Sequence, residues 1–235
     1  MSSRCKKPLI GTVRVLCMAA ALNVQAGPPP ILSGSAGGTS VPPTQAPRPE
    51  YQAAVESYAR GEYERVLDQL AELSRRRKLG VKDLLLQGAA LVRLNRASEA
   101  SGVFVLAQAQ DPTDPSITLC LAEAAIVEGE TGVARGYLRR LMQADRLATR
   151  EFAGFLEVLA LVRDSDLPGA RKKMEAMPWP SSTAARLFAE AAIEIAQGRT
   201  EQAAARMDEA ARVFGKSEAL TFSDSLMSLG MMKRR

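Results

Sequence analysis

Histidine is missing from all 235 residues. That excludes Ser-His-Asp and Cys-His catalysis, histidine-ligated zinc or haem, and any imidazole switch near neutral pH. Cysteine is scarce: Cys5, Cys17 and Cys120 are too few for a disulfide scaffold or a four-cysteine zinc site. Cys120 falls mid-helix between Leu119 and Leu121, where a buried, inert thiol is expected. Aromatic residues are only 5% of the chain, which disfavours a β-rich core, whereas abundant alanine favours helix. No phosphate loop, paired-acid motif or nucleophile of fixed spacing appears, so an enzyme is not expected, nor is a cofactor or a metal.

Acidic residues are missing from positions 1–49, where Arg4, Lys6, Lys7, Arg14 and Arg48 lie. Take those five from the 31 basic residues and 26 remain, equal to the 26 acidic ones, so the formal charge of +5 is confined to the leading segment. The body of the chain is neutral and no nucleic acid is expected as a partner. Arg75-Arg76-Arg77-Lys78 reads as a solvated helix end. The leading segment has a basic start, a short apolar core from Val15 to Leu22, and small residues at Val24-Gln25-Ala26. It is too short to span a bilayer and is expected to be a signal peptide over 1–26. The chain would then be exported to the periplasm or cell envelope, touching a membrane only through this targeting segment. A mitochondrial presequence is the alternative. Residues 27–49 hold seven of the thirteen prolines and almost no large apolar residues, so they read as a Pro/Gly-rich disordered linker.

From residue 50 a helical pattern recurs. Val66, Ala100, Ala134, Ala170 and Ala203 are spaced by 34, 34, 36 and 33 residues. Four residues after each comes Leu70, Phe104, Leu138, Met174 or Met207, and three further on Leu73, Ala107, Leu141, Met177 or Ala210. These offsets keep each set on one helical face. Twelve residues before each anchor lies Ala54, Gly88, Ala122, Val158 or Ala191, and a turn residue falls between the two helices: Gly61, Asn95, Gly129, Ser165 or Gly198. One such hairpin cannot cover its own apolar faces, so neighbours must stack.

The spacing resembles the tetratricopeptide repeat, over about five units, most closely at Gly88, Ala100, Phe104, Ala107 and Pro112. Sel1-like and pentatricopeptide arrays have similar periods, and the neutral body argues against the RNA-binding latter. The expected fold is all-α: a helical-hairpin solenoid over 50–216, then a capping helix and basic tail over 217–235. The family has apolar residues where this chain has Glu157, Glu190 and Glu194, and Glu190 and Glu194 are expected to face solvent at a worn end. The resemblance implies a concave groove lined by the first helix of each unit. Carried across by register, the lining includes Tyr51, Val55 and Tyr58; Lys82, Leu85, Ala89, Val92 and Arg93; Leu119, Glu123 and Ile126; Phe155, Leu159 and Arg163; Phe188 and Ile195.

The same resemblance implies a non-enzymatic scaffold binding an extended or helical apolar segment of a protein partner. Alternatives are a groove filled by the chain's own linker, and a structural subunit that oligomerises by stacking its repeats end to end. A clamp for acidic C-termini is excluded, because Tyr51, Val55, Leu86 and Cys120 stand where such clamps carry cations or amides. Trp179, in Met177-Pro178-Trp179-Pro180, is expected to plug helix ends locally, with an exposed interface anchor as the rival reading.

Overall fold

The computed structural model describes residues 49–232. The signal at 1–26, nearly all of the linker and Lys233-Arg234-Arg235 lie outside the described residues. Within them every regular element is a helix. Five hairpins follow one another: α1 (Pro49–Arg60) with α2 (Tyr63–Arg76), α3 (Val81–Arg93) with α4 (Ala97–Gln110), α5 (Pro115–Glu128) with α6 (Thr131–Leu141), α7 (Leu147–Arg163) with α8 (Leu167–Glu175), and α9 (Ala185–Ala196) with α10 (Thr200–Val213). A last helix, α11, covers Lys216–Ser228. The first helix starts on Pro49, which suits the opening turn because proline has no N–H to leave unpaired there.

The hairpin turns share one geometry. Gly61, Asn95, Gly129, Ser165 and Gly198 all take positive φ, from 59° to 88°, and Asn95 and Ser165 are the non-glycine residues that do so among the described residues. In each turn the following N–H reaches back to close the helix end: Glu62 to Ser57, Arg96 to Leu91, Glu130 to Ala125, Asp166 to Leu161 and Arg199 to Glu194, at 2.8–3.0 Å. That bond satisfies a carbonyl the helix leaves open and reverses the chain in the same place each time.

Consecutive helices pack on one another, and the first helices also stack directly: α1 on α3, α3 on α5, α5 on α7 and α7 on α9. They form the inner layer of a helical-hairpin solenoid. The repeated small residues explain the close approach. Ala54, Ala122, Val158, Ala191, Val66, Ala100, Ala134 and Ala170 are fully buried. At Gly88 the Phe104 ring takes the space of a side chain, its Cε1 lying 2.2 Å from where a Cβ would stand. Two apolar clusters result, one from α1 to α5 and one from α5 to α11, and α5 supplies residues to both.

Three expectations are corrected. Glu190 and Glu194 are not at a worn solvent face. Like Glu157, they are half-buried at helix contacts, where Glu157 pairs with Lys173, Glu190 with Arg206 at 3.1 Å and Arg186 at 3.6 Å, and Glu194 with Arg199. A carboxylate fits an apolar site when a long cation crosses from the next helix to meet it. Trp179 is 64% exposed and lies over the Arg186 guanidinium at 5.5 Å, while the neighbouring Met177 is the buried plug. Cys120 is buried as expected, but its sulfur is engaged in a disulfide and is not a free thiol. The Arg75–Lys78 run behaves as a helix end: Arg75 and Arg76 pair with Glu72, and Arg77 makes a bidentate pair with Asp83 at 2.7 and 3.0 Å.

Candidate functional site

The inner layer is where the sequence places a groove, and α11 lies along it. This helix covers the last hairpin, as a cap should, packing on α9 and α10. It also runs on across α7 to reach α3, so the helix that caps the last hairpin also covers part of the inner layer.

Three anchors seat it. The Phe222 ring enters a cage of three others, 5.2 Å from Phe152, 5.1 Å from Phe155 and 5.4 Å from Phe188, with edge, tilted and stacked geometries. Each such pair adds about 0.5–1.5 kcal/mol to the burial of the rings. Near the start of α11, Glu218 accepts the Ala184 N–H at 2.7 Å, at the head of α9. Burial raises the Glu218 carboxyl, the Ala184 bond holds it down, and Glu151 raises it further. Glu151 is itself 1% exposed and accepts from the Ser182 N–H, the Ser182 hydroxyl and the Thr183 hydroxyl at 2.6–2.9 Å, fixing the loop that carries Trp179.

The third anchor is polar. Arg93, at the end of α3, donates to the Asp224 carbonyl at 2.8 Å and to the Ser228 hydroxyl at 3.4 Å, with the Asp224 carboxylate 3.9 Å away. The Arg93 guanidinium also donates to the Tyr63 hydroxyl at 3.2 Å and lies 5.6 Å from the centre of that ring. Tyr63 packs edge-on against Tyr58, whose phenol is pushed well above its ordinary range by burial and by Asp224. Beneath sits Glu123 on α5. Burial pushes its carboxyl up to about 7; the Ser225 hydroxyl lowers it, Asp224 raises it and Arg93 lowers it. The Ser225 hydroxyl favours the ionised form of Glu123 by its proximity, yet makes no bond of full hydrogen-bond geometry.

The residues assigned to the groove therefore divide. Tyr58, Arg93, Glu123, Phe155 and Phe188 meet α11 or its charges. Leu85, Val92, Leu119, Ile126 and Leu159 are buried between the inner helices. Tyr51 is buried beside Asp83, its hydroxyl without a hydrogen bond and its proton held more tightly than usual by burial. Arg163 stands apart: it is exposed, and its guanidinium lies beside Gly129 in the α5–α6 turn.

Sequence reasoning missed Phe152, Phe222, Asp224 and Ser225. Phe152 lies three residues before Phe155, a spacing that shares a helix face, and Phe222 is the sole aromatic of α11. Those two signals were there to find. Among the described residues no acidic, cysteine or histidine group is arranged to hold a metal, and no helix is long and apolar enough to cross a membrane. No protein-family model matches the chain, and no curated protein or solved structure matches it either.

Proposed function

We propose that this chain is a non-enzymatic interaction scaffold of the bacterial cell envelope, whose concave face takes an amphipathic helix of a partner protein. The observation that carries the reading is α11 itself. An amphipathic helix already lies along the inner layer, with an aromatic side chain in a phenylalanine cage and its backbone bonded to Arg93. A surface that seats one helix through an apolar anchor and a buried cation has the chemistry to seat another. The resemblance to tetratricopeptide repeats and the signal-like leading segment support the same reading and the exported location.

The partner would compete with α11. Affinity capture from the native envelope, with wild type, Phe222→Ala and Phe222→Ala/Arg93→Met as baits, tests this. Weakening α11 by Phe222→Ala is expected to enrich one specific partner, and adding Arg93→Met to lose it. Equal capture by all three folded baits would count against the groove.

A further inference from the structure

Between α10 and α11 the chain turns on one residue. Phe214 still has helical dihedrals, Gly215 stands at φ 91° and ψ 152°, and Lys216 already belongs to α11. This region is open in practice to glycine alone. A Cβ built on Gly215 would meet nothing within 4 Å, so the restriction is conformational and not a matter of crowding. With helical dihedrals at Gly215, α10 and α11 would run on as one rod on the order of 44 Å long. The C-terminal helix would then leave its own groove.

The groove so emptied is complementary to one helix that the structure displays, the α11 of an identical chain. The phenylalanine cage fits Phe222, Arg93 fits the carbonyl of Asp224, and the Ala184 N–H fits Glu218. We propose that two copies open at Gly215 and exchange α11, each completing the concave face of the other. This rests on the reading of that face as a seat for a helix. A tether as short as this joint gives the resident helix a local concentration on the order of millimolar, so the closed monomer prevails when the chain is dilute. A one-residue joint confined to one conformation is also the kind of hinge at which exchange begins.

Sedimentation equilibrium on the full chain tests the exchange, comparing wild type, Gly215→Ala and a short Gly-Ser insertion after Gly215. Alanine penalises the bent joint and favours the continuous rod, by about tenfold per joint. Two joints open per dimer, so the dimerisation constant is expected to rise about a hundredfold. The insertion relaxes the joint and is expected to hold the chain monomeric. A photo-crosslinking benzoylphenylalanine in place of Met227, whose sulfur is 3.6 Å from Arg93, is expected to link chain to chain in the dimer. Should Gly215→Ala not fold, a concentration series of wild type carried to about millimolar gives the same readout, and the absence of links between chains there would overturn the exchange.

A Gly215→Ala chain that stays monomeric at about 100 μM, with cross-links only within the chain, would overturn the exchange. So would a dimer that survives the insertion. A synthetic peptide of residues 216–232 separates the two failures. If it binds in trans to such a monomer whose own α11 is weakened by Phe222→Ala, the helix-seating reading stands without the exchange; if it does not bind, both fall.

Discussion

Glu123 is the residue at which the seating of α11 is most exposed to solution conditions. It is 8% exposed, faces Arg93 from α3 and Asp224 and Ser225 from α11, and its carboxyl is raised from an ordinary 4.5 to about 7. The folded chain therefore holds a proton that the unfolded chain has lost over that interval. The resulting stability is fully present below about pH 4.5 and is lost as the pH rises through about 7. The span corresponds to about 3 kcal/mol at most. Glu123→Gln fixes the neutral form at every pH. Its urea midpoint should fall less between pH 5 and pH 8, keeping only the slope that Glu218 contributes in the same direction, whereas wild type should be clearly less stable at pH 8. Parallel pH profiles for the two chains would show that Glu123 is not the titrating group.

At the scale of the element, α11 differs from the ten helices before it. Its neighbours are held on two sides by the stack, whereas α11 rests on the inner layer and hangs on Gly215. Its own serines weaken it, since Ser223 and Ser228 bond to carbonyls one turn back. Truncating Phe222 removes the ring shared by three others. A buried Phe→Ala change costs about 3–5 kcal/mol, and here the loss should fall on one element. Amide hydrogen exchange of Phe222→Ala should show protection lost over 216–229 and kept in α5 and α7. Uniform loss throughout would mean that α11 is integral to the core.

This difference also marks how far the fold was legible from the residues. The hairpins were readable because their signals are local: Ala100, Phe104 and Ala107 share a face, and Asn95 and Ser165 mark turns as glycine does elsewhere. The register brings Arg93, Glu123, Phe155 and Phe188 towards α11 but leaves Arg163 apart. The helix that lies against them was not legible. Asp224 and Ser228 look like the solvent side of a capping helix, and nothing near them in sequence announces that Arg93, 131 residues from Asp224, is their partner. The glutamates at 190 and 194 read as solvent-facing for a similar reason. The cations that make them tolerable stand on the following helix or in the turn before it, at Arg206 and Arg199.

For the molecule as a whole, the consequence lies in cooperativity. A solenoid couples each unit only to its neighbours, so its two ends can in principle unfold separately. Here the apolar clusters of α1–α5 and α5–α11 meet at α5, and Arg93 adds a second connection by binding α11 across the groove. That clip joins the second hairpin to the C-terminus. Replacing Arg93 by methionine keeps most of the volume but removes a charged hydrogen-bond donor worth about 1.5–3 kcal/mol, together with the positive charge that offsets the effect of Asp224 on Glu123. The single tryptophan, Trp179, stands between α8 and α9 and reports on the C-terminal cluster alone, whereas far-ultraviolet circular dichroism reports on every helix. In wild type the two signals should follow one urea transition. In Arg93→Met they should separate, with ellipticity falling at lower urea than tryptophan fluorescence, because the α1–α4 end has lost its hydrogen-bonded clip to α11. Coincident transitions in the variant would show that stacking through α5 alone suffices to couple the halves.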